Sequence, residues 1–272
     1  MFQRMIILIL MSLLLVHCAE LQVEMPLPVA EIPEVNGETW STHIDTGMLP
    51  AEKVQVTSNA GARPPSFNNP ETSGSPFPFG RIDTGIFSFM QLGLGVGLNG
   101  LFGSGGGSST SAHAKIQLLG DPRKTAKKNN FSLAAFGNWG VTSQSNSGDQ
   151  ESTFGGGGSN WTGKINSKHT IYGASLGYRA SDRGLIFLGY GEGTYKADGE
   201  IVQAPAGADP GGTYSFDQEG KSQAATVGVH YQICQNGKCS VQVRYVGYNF
   251  DWESLARKEE TMWGANLYLE FQ

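Results

Sequence analysis

Cys234 and Cys239 flank the tetrapeptide Gln-Asn-Gly-Lys, and that spacing selects among the chemistries open to two thiols. Asn236-Gly237 is the strongest short signal for a type I′ hairpin turn, whose two central residues both need positive φ. With those residues at the turn, Gln235 pairs with Lys238 and Cys234 falls opposite Cys239. That next pair is a non-hydrogen-bonded one, where side chains approach most closely. A disulfide is therefore expected between them. Redox or zinc chemistry would need a CxxC spacing, and zinc a second pair of ligands. No metal site is expected. Paired thiols also place the chain in an oxidising compartment.

The third cysteine has a different setting. Cys18 closes an apolar run, Met5 to Val16, that follows Arg4. The run is too short to cross a membrane comfortably and reads as the core of a signal peptide. Leu15-Val16-His17-Cys18 resembles the lipobox of bacterial lipoproteins, with His17 where that family usually carries a small residue. The resemblance implies residues 1–17 as a lipoprotein signal and a lipid on Cys18. No other cofactor is expected. An ordinary secretory signal is the alternative, and no small-x-small cleavage site follows the core.

Residues 18–80 hold eight acids against Lys53 and Arg63, together with nine prolines, whereas 81–272 carries sixteen charges of each sign. A neutral body excludes a strong electrostatic footprint for nucleic acid. With 38 glycines, 16% charged residues and a mean hydropathy of −0.24, the chain is neither a helical membrane protein nor a compact helical enzyme. The composition shift sets a boundary near residue 80. Residues 18–80 are expected to be a disordered, lipid-anchored periplasmic tether, poor in apolar runs. Its few apolar groups, Trp40, Ile44, Val54 and Val56, are the expected anchors on a periplasmic partner.

From Gly85 onward a period of two recurs in segments of about ten residues, the pattern of a transmembrane barrel. Met90 to Leu98, Phe131 to Val141, Ala225 to Ile233 and Trp263 to Phe271 are the clearest of eight such segments. The connections alternate between short and long, as in outer-membrane barrels. Residues 81–272 resemble the small eight-stranded outer-membrane barrels, the OmpA-like and OmpX-like class. The resemblance implies an all-β, eight-stranded antiparallel transmembrane barrel with a disordered N-terminal extension, located in the bacterial outer membrane. A soluble sandwich or lipocalin-like barrel is the competing fold. The scarcity of Lys and Glu on the second face of the strands argues against it.

An eight-stranded lumen is filled by side chains, so Lys115, Glu192, His230 and Arg244 are expected as paired interior polar groups, with no room for a plug. The turn Asp121 to Lys128 has a net charge of +3 and suits either anionic headgroups of the inner leaflet or plain solvation as a surface turn. Outer-membrane lipids and lipopolysaccharide are the expected surroundings. The function expected is a non-enzymatic envelope component whose residues 19–80 contact a periplasmic protein. One alternative is an adhesin or ligand-binding barrel working through long loops that include Trp161, Tyr195 and Tyr214. The other is a lipid A-modifying enzyme using His169 or His113 near Ser143, Ser145 and Asp149.

Overall fold

Side chains alternate along an extended chain and leave a sheet with two unlike faces, and a sheet hides both its edges only by closing on itself. A computed structural model describes residues 20–57, 71–99, 106–150, 159–204, 212–234, 239–253 and 258–271. Among them are eleven strands: β1 (Glu20–Pro26), β2 (Thr42–Thr57), β3 (Glu71–Phe87), β4 (Met90–Asn99), β5 (Gly106–Leu119), β6 (Phe131–Gln150), β7 (Ser159–Arg179), β8 (Gly184–Gln203), β9 (Gly212–Gln232), β10 (Cys239–Trp252) and β11 (Lys258–Phe271). Strands β3 to β11 pair antiparallel with their neighbours in sequence, and β2 pairs with both β3 and β11. Ten strands thus close into a barrel. The eleventh, β1, pairs with the far half of β2 and packs against β6 and β7, with Val23 and Met25 fully buried. It lies within the ring.

The register fixes two unlike ends. Thr42 faces both Phe271 and Thr84, at the end that also holds the turns following β3, β5, β7 and β9; this is the turn end. At the other end, Gln55 faces Glu71 and Gln150 faces Ser159. Strands β6 to β9 run 20 or 21 residues and project there as a flange. Glu20 faces Thr57 at this flange end, so the chain enters at the flange, descends the lumen and emerges at the turn end before β2 begins.

Around the belt the outer face is apolar, and toward the turn end the inner face is polar. Each ring strand turns a large hydrophobic side chain outward, among them Met48, Ile82, Leu94, Ile116, Trp139, Tyr172, Leu188, Val229, Tyr245 and Trp263. On β10, Gln242 and Arg244 are buried while Val243 and Tyr245 between and beyond them are exposed. A soluble barrel has the opposite polarity. On β6 the exposed positions from Phe131 to Val141 cover ten steps, about 25 Å at a tilt of roughly 40°. That matches the apolar band of a membrane barrel.

Two wall strands lie where a disordered tether was expected. The boundary placed near residue 80 falls inside β3, and the ring has ten strands instead of eight. In β2, His43 and Asp45 point inward while Ile44 and Met48 point outward, an alternation masked by its polar inner half. Pro50 and Pro76 face each other across β2 and β3, at positions that weigh against a strand when read alone. Pro50 sits where β2 exchanges β11 for β1 as its second neighbour, so its missing donor falls at a break between two ladders.

The expected disulfide is present, with the Cα atoms of Cys234 and Cys239 5.2 Å apart. Its register differs by one residue from a two-residue hairpin. Gln232 faces Ser240, and Ile233 N donates to the Cys239 carbonyl over 3.0 Å; Asn236-Gly237 lies outside the described residues. Reduction should cost at most about 2 kcal/mol, because the closed loop is short. Denaturant unfolding with and without dithiothreitol measures this, and a much larger loss would mean that the bridge also holds the β9–β10 pairing.

Candidate functional site: a segment latched inside the ring

Residues 27–36, Leu-Pro-Val-Ala-Glu-Ile-Pro-Glu-Val-Asn, pass down the lumen and are buried throughout. Prolines hold such a segment extended and reduce the number of donors it must satisfy. Several remaining amides find the barrel wall. Leu27 N donates to Pro50 O (3.0 Å), Ala30 N to Thr226 Oγ1 (3.0 Å) and Val35 N to Gln117 Oε1 (2.8 Å). Gln117 in turn donates from Nε2 to the carbonyls of Leu119, Gly120 and Asp121. One wall amide thereby ties the segment to the turn after β5.

Space for the segment comes from missing side chains. A Cβ on Gly191 would stand 2.3 Å from Pro28 O, and one on Gly177 2.6 Å from Pro33 Cγ. On Gly189 it would meet the Ala30 Cβ at 2.4 Å. These contacts are far inside van der Waals range, so the wall fits the segment only because these positions are glycine.

The lumen has two layers. Toward the flange, Val23, Met25, Leu27 and Val29 pack with Ile165, Tyr195, Val246, Phe250 and Trp252 in one hydrophobic cluster. The Tyr195 hydroxyl donates to Pro26 O over 2.8 Å and also meets Ser222 Oγ. Toward the turn end the interior is charged. Glu31 receives both terminal nitrogens of Arg81 and lies 3.0 Å from His113 Nε2. Arg81 also holds Asp83 (2.7 Å) and Asp45 (3.3 Å). Asp83 bridges His113 (3.1 Å) and His43 (3.3 Å). One turn-length further on, Glu34 takes a two-pronged contact from Arg179 and a 3.1 Å bond from Asn130 Nδ2. Lys115 Nζ caps the carbonyls of Ile32 and Glu34, each at 3.3 Å.

Buried charges persist only when paired and hydrogen-bonded. Asp45 and Asp83 pair within the wall, but for Glu31 and Glu34 the partners sit on different bodies: carboxylates on the threaded segment, guanidinium groups on the wall. The arrangement acts as a latch.

Of the interior groups expected from sequence, Lys115, His230 and Arg244 are indeed buried. Glu192 is not: it lies on the outer face, accepting from the hydroxyls of Tyr172 (2.8 Å) and Tyr190 (3.1 Å). Its strand parity matches the exposed Ile186 and Leu188. The expected anchors scatter. Trp40 is exposed at the turn end with a φ of 65°, Ile44 lies on the outer face of β2, Val54 is buried in the lumen cluster, and Val56 faces Leu21 in the β1–β2 ladder. Cys18 and residues 1–17 lie outside the described residues. The belief that the lumen has no room for a plug fails with the strand count, since two further strands widen the ring.

The residues considered for catalysis are not brought together. His113 is in the latch. His169 Nε2 meets Asn138 Oδ1 at 3.2 Å, and the Ser143 hydroxyl donates to Asn166 Oδ1 at 3.0 Å. Ser145 is exposed on β6, the strand that also carries Asp149. Trp161 and Tyr195, considered as loop contacts for a ligand, are buried inside the flange. Sequence reasoning missed Glu31, Glu34, Arg81, Asp83 and Arg179. The one available signal was the arginine pair, each in step with the inward residues of its strand.

No protein-family model matches the chain, and no curated protein sequence does. Among solved structures, the chain is similar to the outer membrane protease OmpT from Escherichia coli, at 12% identity and a TM-score of 0.43, over 94% of this chain and 97% of that one. It is also similar to OccD1 (OprD), at 7% identity and a TM-score of 0.16, over 89% of this chain and all of the other.

Proposed function

We propose that the protein is a non-enzymatic β-barrel of the bacterial outer membrane, an envelope component closed by its own N-terminal segment. The observation that carries this is the ring of exposed apolar side chains around a lumen that the N-terminal segment fills, apolar toward the flange and charged toward the turn end. A surface of that extent is stable only in lipid. Short turns belong to the periplasmic side and the projecting flange to the cell surface. In that orientation Glu20 emerges outside, opposite the periplasmic leaflet expected from sequence for the amino terminus; Cys18 lies outside the described residues. Anchoring then works from the exterior: the barrel holds the wall of the membrane, and the amino terminus is offered to a partner above it. Lipopolysaccharide surrounds the flange, whose outer face carries Lys164, Lys168, Lys196 and Lys221.

Intact cells treated with a membrane-impermeant amine reagent test the orientation. Lys164 and Lys221 should be labelled, and Lys124 and Lys127 protected until the cells are broken. An epitope inserted between Ala19 and Glu20 should bind antibody on whole cells. Labelling of Lys124 with protection of Lys164 would invert the barrel, and release of the protein by alkaline carbonate would remove it from the membrane.

A further inference from the structure

We infer that the ten-stranded wall is an anion-conducting conduit held shut by residues 20–36; the inference rests on the membrane-barrel reading above. The ring closes through β2–β3 and β2–β11 without β1, and among the described residues the only wall ladder the segment completes is that of the far half of β2, where Glu20–Pro26 pairs with residues 51–57. Charge divides unevenly between the two bodies. Among the described residues, the wall and its turns bury five cationic groups, Arg81, Lys115, Arg123, Arg179 and Arg244, against three carboxylates, Asp45, Glu52 and Asp83. The two buried carboxylates that restore balance, Glu31 and Glu34, both belong to the segment. Loosening the segment therefore leaves a lumen of net positive charge, and a narrow, low-dielectric passage of one sign concentrates the opposite ion.

Two further observations point to a water-bearing passage. A cavity of about 40 Å³ already lies between segment and wall, bordered by Glu31, Asp45, Arg81 and Arg244. That is room for a water molecule among polar partners. In addition, the buried side chains of Gln144, Ser175 and Gln242 have polar atoms with no protein partner among the described residues. All three share the inward parity of their strands. Such groups are costly in a dry core and ordinary along an aqueous path. The ligand class is the small inorganic anion, with chloride as the probe.

The test is single-channel recording in planar bilayers across a potassium chloride gradient, with the full-length chain. Wild type should be closed at low voltage and open in brief events at high voltage of one polarity, the polarity that draws the segment's carboxylates along the axis. The Glu31→Gln/Glu34→Gln variant should open at least about tenfold more often. Its reversal potential should lie on the chloride side, and a synthetic peptide of residues 20–38 should close it. Insertion is checked separately by heat-modifiable migration and by resistance to carbonate extraction. A variant that inserts but never conducts overturns the inference and leaves the membrane assignment intact. Potassium selectivity overturns it equally. Should the variant fail to insert, wild type decides: silence at both polarities means that the lumen is a filled core and no conduit.

Discussion

Exchanging Glu34 for glutamine should destabilise the barrel by about 3–5 kcal/mol, the range for breaking a buried ion pair from one side. Glu34 and Arg179 are both almost inaccessible to solvent, and Glu34 also accepts from Asn130. Glutamine keeps the shape and one acceptor but leaves the Arg179 charge uncompensated. Besides the acceptor that glutamine retains, the Arg179 guanidinium keeps one bond, 2.8 Å from Nη1 to the Asp182 carbonyl. Its cation then sits in an interior that the segment balances less, with the Lys115 ammonium on the backbone carbonyl at position 34. Unfolding midpoints in detergent measure the loss. The double variant Glu34→Gln/Arg179→Met should recover part of it, since the orphaned charge goes with the arginine. A cost below about 1 kcal/mol for the single change would show that the pair is hydrated and that the latch is not there.

Gly191→Val should expel the segment without dissolving the ring. Its new Cβ would meet Pro28 O at 2.3 Å and Pro28 Cβ at 3.1 Å, and a proline backbone flanked by wall hydrogen bonds at Leu27 and Ala30 has little freedom to retreat. Overpacking of this kind costs about 1–3 kcal/mol when neighbours adjust. Here the neighbour is a separate strand of chain, so it yields as a unit. The readout is cleavage by a glutamyl endopeptidase. Glu31 and Glu34 are buried in the wild type and should resist it, whereas the variant should be cut there while still migrating as a folded barrel. Wild-type cleavage at Glu34 at the same rate would mean that the segment already leaves the lumen freely.

Much of the wall was legible because its exterior is lipid-like. Alternations such as Val227, Val229 and Tyr231 against Gly228 and His230 need no partner to be recognised, and they place β4 to β11. Strand direction was not legible, since a period of two marks faces without saying which one is inside. The strands missed, β2 and β3, have wall faces interrupted by Pro50, Pro76 and Pro78, and their acidic neighbourhood looks like solvated chain. Flange lengths were underestimated for a related reason. Beyond the belt, β7 and β8 turn Lys164, Lys168, Lys196 and Asp198 outward, and without an apolar exterior the alternation loses its contrast. The latch was the least visible. Glu31 and Glu34 lie in a proline-rich stretch with no periodicity, and their meaning depends on Arg81 in the second wall strand and Arg179 in the sixth. Local sequence holds each half of such a pair and neither names the other.

β2 is the first wall strand to be synthesised and the last to find both of its neighbours. Met48 meets Ala265 from almost opposite ends of the chain, and the loop-closure entropy for that contact is lost before any of its hydrogen bonds form. A segment ahead of β2 that already stands on the axis when this seam zips shut is spared a later end-on entry past Trp252 and Tyr195. The topology thus favours one order of assembly, the centre before the circumference. A cell that makes this protein needs something to keep the acidic leader and the open sheet together until the last strand arrives, and the Glu31 and Glu34 contacts with arginines on β3 and β7 give the growing sheet its own means of doing so.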